Sequence, residues 1–464
     1  MANQISRRVF LRGSLLVTGG LLAACVAPAA APAAPAAEAP AAAATEAPAA
    51  AAAPAAENIL LRWDTFRSPG TGWNEERVES FMAANPGVTI EFRPLTGASQ
   101  QDNYGKMYAS HAAGDLAEVC AFDPSHFHFW RAINANIIMP IDELVAAAGT
   151  DLTEWYDLFM GLQYFQGKLY GLPSWGWAGQ DTVVVNAAHF KEAGVPLPDV
   201  QSRDTSMETI AEWAQSFYKE GERFGLNIGH GEGNVVTLTR AFGGDLISED
   251  GTKCLLLEDK SVEALRWAYK MAVEDKVLPA PGVVENVASA QVEGKVTMNW
   301  GGSLNVRNYD RDITAAGADP AVAEVWQILL PTLPDGRFPS QLRGGTWNIR
   351  QGTEHADVAY NFLLHIAGAE GSLSFNTVSG NFAAVRPDTF QELIALNPIH
   401  EWFKSSLENG IPAHAPANSR GREFTDAVVQ YTDLLLDPNQ PIAFEEGLQQ
   451  LNDQIQAVLD MDPA

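Results

Sequence analysis

The chain has 464 residues, a formal charge of −27 and 46% hydrophobic residues. That length predicts two or three domains or one large two-lobed body, and the low charged fraction excludes a disordered polyelectrolyte. The acidic balance, 57 Asp and Glu against 30 Lys and Arg, excludes nucleic acid as a partner, and three cysteines exclude a disulfide scaffold.

The first 57 residues read as address and spacer. Arg7, Arg8 and Arg12 precede a short apolar run, 15–24, too short to span a bilayer, as in an export signal. The stretch 6–11 (SRRVFL) resembles a twin-arginine motif. Leu22-Ala23-Ala24-Cys25 resembles a lipobox, so Cys25 is the expected lipidation site and the signal is 1–24. Residues 25–57 are nearly all Ala and Pro after the cysteine, a composition that buries no core and suits a tether to a membrane. The signal carries three positive charges and the tether three negative ones (Glu38, Glu46, Glu57), so residues 58–464 hold the whole −27. Solubility explains that acidity, and it selects no partner.

From residue 58, strand and helix patterns alternate, which predicts an α/β body. A strand is expected at 58–63, a helix at 74–84 ended by Asn85-Pro86-Gly87, and strands at 88–92 and 118–122 around a helix at 104–113. A short helix follows at 142–148. Residues 167–173 read as a hairpin and strand entering a loop, 174–181. Strands are expected at 181–185 and 296–300. Helices are expected at 187–193, 206–221, 261–275, 356–367, 423–436 and 444–459. No stretch after Cys25 is long and apolar enough to span a membrane.

These segments resemble, in order, the extracellular solute-binding proteins of ABC importers, in the class that includes the maltose-binding protein. The matching motifs are Leu61-Arg62-Trp63-Asp64, Asn85-Pro86-Gly87, Ala112-Ala113-Gly114-Asp115, Gly167-Lys168 with Tyr170-Gly171-Leu172-Pro173, Val183 to Asn186, Phe190 to Pro196, Gly294-Lys295 with Met298, and Gly344-Gly345 before Ile349. Ala117 and Glu118 depart from the usual proline and aspartate. The resemblance implies a two-lobed periplasmic-binding-protein-like fold of type II, with a hinge and an interlobe cleft. It places the first lobe at 58–181 plus 346–383 and the second at 182–345 plus 384–464. It also implies a sugar or oligosaccharide as ligand, importer permease subunits as partners, a monomer, and no catalytic residue or cofactor.

A sugar needs an aromatic ring for its C–H face and planar polar groups for its hydroxyls, on loops at strand ends. The candidates are Asp64, Phe66 and Arg67 after the first strand, and Asp123 and His126 after the third. Trp175, Trp177, Gln180 and Asp181 follow on the crossover loop. Asp245 lies in a glycine turn, Trp300, Gly302 and Ser303 end a strand, and Arg343 and Trp347 lie at the return crossover. Four of the twelve tryptophans thus fall on cleft-side segments. His126 and His128 have no third ligand in reach, so no metal is expected. Cys120 and Cys254 read as buried free thiols in different lobes. The run 229–233 is Gly-rich but lacks the lysine of a phosphate loop and a clear strand–loop–helix setting. One rival reading is a surface-tethered carbohydrate-active enzyme, which needs a carboxylate pair that no motif marks. Others are a binding protein for a polyol, a glycerol-phosphate-type solute or a peptide.

Overall fold

The computed structural model describes residues 58–66, 72–97, 100–124, 128–177, 181–199, 202–284, 287–301, 325–379, 384–396 and 399–463. The signal, Cys25 and the tether lie outside them.

Two sheets, each over its own core, form the α/β body. The first lobe is built on β1 (Ile59–Phe66), β2 (Val88–Leu95) and β3 (Val119–Cys120), all parallel. Hairpin strands β4 (Tyr164–Phe165) and β5 (Lys168–Leu169) stand apart from that sheet. Next comes β6 (Leu172–Trp177), and then the second lobe's strands β7 (Thr182–Asn186), β8 (Phe224–Asn227), β9 (Val296–Gly301) and β10 (Val325–Leu329), in the order β10-β7-β9-β8. The chain returns through β11 (Gln341–Ile349), which pairs antiparallel with both β3 and β6, and adds β12 (Ile411–Pro412) at its start. β7 reads TVVVN and is buried throughout, as a β-branched central strand should be.

Local chemistry sets several element ends where the sequence predicts. Asn186 caps the helix Ala187–Ala193 by accepting from the Ala188 N–H at 3.0 Å, and Gly194 closes it at φ 69°. Ser206 caps Met207–Phe217. Three segments differ from expectation: the helix expected at 206–221 stops at Phe217, the strand expected at 118–122 is only Val119–Cys120, and 174–177 is strand, not loop. Gly176 and Gly345 occupy places where a Cβ would fall inside the rings of Phe159 and Trp175, so these glycines permit close packing of β6 on β11 rather than a turn.

The first core gathers aromatic rings. Trp63 meets Trp73, Trp347, Phe92 and Phe362 at centroid distances of 6.1, 5.3, 5.2 and 5.2 Å. Trp175 meets Trp347 at 5.0 Å and Phe375 at 5.5 Å. Four of the twelve tryptophans lie in this cluster of rings. Ala384, Val385, Phe390, Leu393 and Leu407 also belong to this core, as does Leu342. Core residues from 384 to 407 thus join the first lobe's cluster, although the boundary at 384 assigns that segment to the second lobe. The second core is built from Val183, Val185, Phe190, Met298, Trp300 and the closing helices Gly421–Leu436 and Phe444–Leu459. Cys120 and Cys254 are free and buried, Cys120 in a smaller cluster with Tyr104, Phe122 and Phe129 and Cys254 in the second core, and burial pushes the Cys254 thiol up to about 11. Among the described residues no helix is long and apolar enough to cross a membrane.

Charge is tied down where the central strand β3 of the first sheet begins. Burial pushes the Glu118 carboxyl up, but hydrogen bonds from Arg62 and Arg350 outweigh it and hold it at about 2. In the second lobe, burial and the nearby Arg223 hold His189 down at about 4. Both folded values lie below the unfolded ones, so both groups stabilise at neutral pH and lose that contribution on acidification. The His189 contribution fades from about pH 6.5 to 4, and the Glu118 contribution from about 4.5 to 2. Urea midpoints should therefore fall steadily from pH 7 to pH 3. Glu118→Gln should lower the midpoint at pH 7 and flatten the profile below pH 4.5; an unchanged profile would contradict this.

Candidate functional site

The strand directions locate the site. β1, β2 and β3 are parallel, and β11 passes β3 antiparallel with Asn348 opposite Cys120. The start of β11 therefore extends beyond the carboxyl ends of the first sheet. In the second sheet, Gly301 at the end of β9 lies opposite Thr182 at the start of β7, and Leu329 at the end of β10 lies opposite the same residue. β8 runs parallel to β9. The carboxyl ends of β1–β3 and of β8–β9 thus face the segments where the chain crosses between lobes, the position at which open α/β sheets take ligands.

At this edge Phe66 ends β1 half-buried, its ring edge-on to Trp175 at 5.4 Å. Arg343 on β11 lies opposite Trp177 in the ladder and pairs with Glu232, a buried carboxylate. Gln341 Nε2 donates to the same carboxylate at 3.1 Å. Glu232 opens the helix Glu232–Ala241, which follows β8. At the ends of β8 and β9, the Asn227 amide donates to Asn299 at 2.8 Å. Sequence reasoning missed Glu232, Gln341, Asn227 and Asn299. The signal was the run 229–233, which does have a strand–loop–helix setting. The loop brings a carboxylate, not a phosphate cradle, to the crossover.

Several candidates are placed elsewhere. Trp175, Trp347 and Trp300 are 3%, 1% and 2% exposed, so no ring face is open for stacking. The first two lie in the first core; Trp300 sits in the second, beside Trp267. Large rings on strands buried on both sides are core by the area they remove from water. Three of the candidate carboxylates are taken by arginines of the same body. Asp64 holds Arg93 through two bonds of 2.7 Å, and Asp181 holds Arg203 at 2.6 Å. Asp245 holds Arg240 at 2.9 Å. Asp123 is buried and accepts from the Tyr104 hydroxyl at 2.6 Å. Burial, with the Asp123 charge adding, pushes that phenol well above its usual value. Trp177 has its backbone on β6, while Arg67, His126, Gln180, Gly302 and Ser303 lie outside the described residues.

Asp245 follows the carboxyl end of Glu232–Ala241, a 10-residue helix about 15 Å long. There it lines a cavity of 940 Å³, with Trp130, Leu158 and Leu162 of the first lobe and His414. Among the described residues no group of His, Cys, Asp and Glu has the placement to hold a metal ion.

The profile of bacterial extracellular solute-binding proteins matches residues 76–397, more than half of the chain. The chain belongs to that family. Solved structures share the protein's two-lobed fold. An ABC substrate-binding protein from Listeria monocytogenes, in complex with cycloalternan, superposes with a TM-score of 0.72 at 15% identity, covering 88% of this chain and 100% of that one. UgpB from Mycobacterium tuberculosis, in complex with glycerophosphocholine, gives 0.72 at 15%, covering 86% and 98%. Maltose-bound MalE3 of T. maritima gives 0.67 at 17%, covering 86% and 100%. No curated protein matches the solute-binding protein in sequence.

Proposed function

We propose that this solute-binding protein captures a sugar or oligosaccharide between its lobes and delivers it to the permease of an ABC importer. The observation that carries the reading is the convergence of both sheets' carboxyl ends on the crossover, with Phe66, Arg343, Asn227 and Asn299 at that edge. Pairing of Arg343 with Glu232 supports an uncharged ligand over a phosphodiester, since the guanidinium charge is already offset. The cycloalternan and maltose complexes of the structural neighbours support the same class. The ligand bridges both lobes in the closed form and so shifts the population toward it. No bond is made or broken, and no residue is assigned a catalytic role. The Cys25 lipid, after a twin-arginine-type signal, would hold a monomer by its tether at the outer face of the cytoplasmic membrane. We take the lobes to divide near Asp181, Gln341 and Gly410.

Thermal unfolding of the full chain against a panel of sugars, polyols, glycerophosphodiesters and peptides tests this. One sugar class should raise the melting temperature. Ligand at 100 times its dissociation constant adds about 2.7 kcal/mol. Shifts from glycerophosphodiesters or peptides with none from any sugar would overturn the ligand assignment.

A further inference from the structure

Glu232 is 4% exposed, a costly place for a carboxylate unless partners come to it. Two side chains of β11 do so. Arg343 pairs with Oε2, and the Gln341 amide donates to Oε1 at 3.1 Å. Glu232 is also the first residue of a 10-residue helix, and Gly231 ahead of it has no side chain to accept the amides of the first turn. The helix's amino end therefore adds positive potential at the same carboxylate. Arg343 in turn lies opposite Trp177, at the ligand edge. Asp64 with Arg93 and Asp181 with Arg203 are balanced in the same way, each cation by a carboxylate of this chain. A buried ion pair adds little net stability over an apolar pair of the same size, so folding alone does not account for this one.

We propose that Glu232 is the specificity-determining residue of this edge: an internal counter-ion that holds the place an anionic group would take and so reserves Arg343 for uncharged ligands. The inference rests on the crossover edge being the ligand site. A ligand hydroxyl loses nothing by meeting the pair, since it can accept from a guanidinium N–H and donate to a carboxylate oxygen. A phosphate or carboxylate has no such use for it. To claim Arg343 it must displace Glu232, which then stays buried beside an incoming charge of its own sign.

Titration calorimetry of the full chain with glycerol 3-phosphate, at fixed ionic strength, tests the proposal. Glu232→Gln keeps the shape of the side chain and removes its charge. Gln341 can turn its own amide over to accept from the new one, since its oxygen has no hydrogen-bond partner among the described residues. Glu232→Gln should bind glycerol 3-phosphate at least tenfold more tightly than the parent, and Glu232→Gln with Arg343→Gln should return to the parent's affinity. Equal affinity in parent and Glu232→Gln, or a gain that survives the loss of Arg343, would overturn the assignment. Should Glu232→Gln not fold, Glu232→Ala decides. Sodium formate, a carboxylate small enough to enter the space, should raise its melting temperature by several degrees over sodium chloride and leave the parent unchanged. No such rise would overturn the assignment. None of these measurements uses a sugar. A chain that passes them yet binds no sugar refutes the proposed ligand and not the role of Glu232.

Discussion

Trp347→Ala should cost about 3–5 kcal/mol of folding stability, the range for deleting a large buried aromatic side chain. The indole is 1% exposed and touches the rings of Trp63, Trp175 and Phe66, so the hole would open at the meeting point of the first core. Its N–H has no acceptor among the described residues, so truncation orphans no partner and the cost is one of packing. Guanidinium unfolding monitored by far-ultraviolet dichroism would read it as a lower midpoint at unchanged slope. If Trp347 were instead a stacking platform for sugar, the variant would unfold like the parent and lose affinity. A stability loss below about 1 kcal/mol would contradict its place in the core.

Asp181→Ala should be as damaging for an electrostatic reason. The carboxylate is fully buried and ion-paired to Arg203, whose guanidinium also donates to the Leu330 carbonyl at 2.9 Å and lies over the Phe338 ring at 3.5 Å. Removing it leaves a nearly buried cation without its counter-charge, and breaking such a pair costs about 3–5 kcal/mol. The Ser406 hydroxyl, which donates to Asp181 at 3.3 Å, loses its acceptor as well. Asp181→Ala combined with Arg203→Met should recover part of the loss, since neither charge is then stranded. A double variant no more stable than the single would contradict this.

The fold was legible where local chemistry and periodicity agree. The β-branched run at 182–185, the Asn186 cap and Gly194 each specify their element within a few residues. The candidate site was less legible, for two physical reasons. Whether a carboxylate is free or spent depends on an arginine distant in sequence: Arg93 for Asp64 and Arg203 for Asp181. Nothing near Asp64 in sequence announces Arg93. Similarly, Trp175 beside Gly176 reads as a loop until Phe159 and Gly345 are brought against it, whereupon the glycine is seen to make room for a ring. Glu232 went unnoticed because a single carboxylate in a Gly-rich run carries no periodic signal. Only the end of β8 puts it at the crossover. Phe66 and Arg343 were legible because a strand end and a crossover are positions that sequence order alone can mark.

The central claim is reversible capture of a sugar without chemistry. Titration calorimetry of the full chain with maltose, longer maltodextrins and cyclic glucans, followed by chromatography of the recovered sugar, tests both halves at once. The account predicts saturable binding of one molecule per chain for at least one of these sugars and recovery of that sugar unaltered. Absence of heat across the panel, or conversion of the sugar to shorter products, would contradict it.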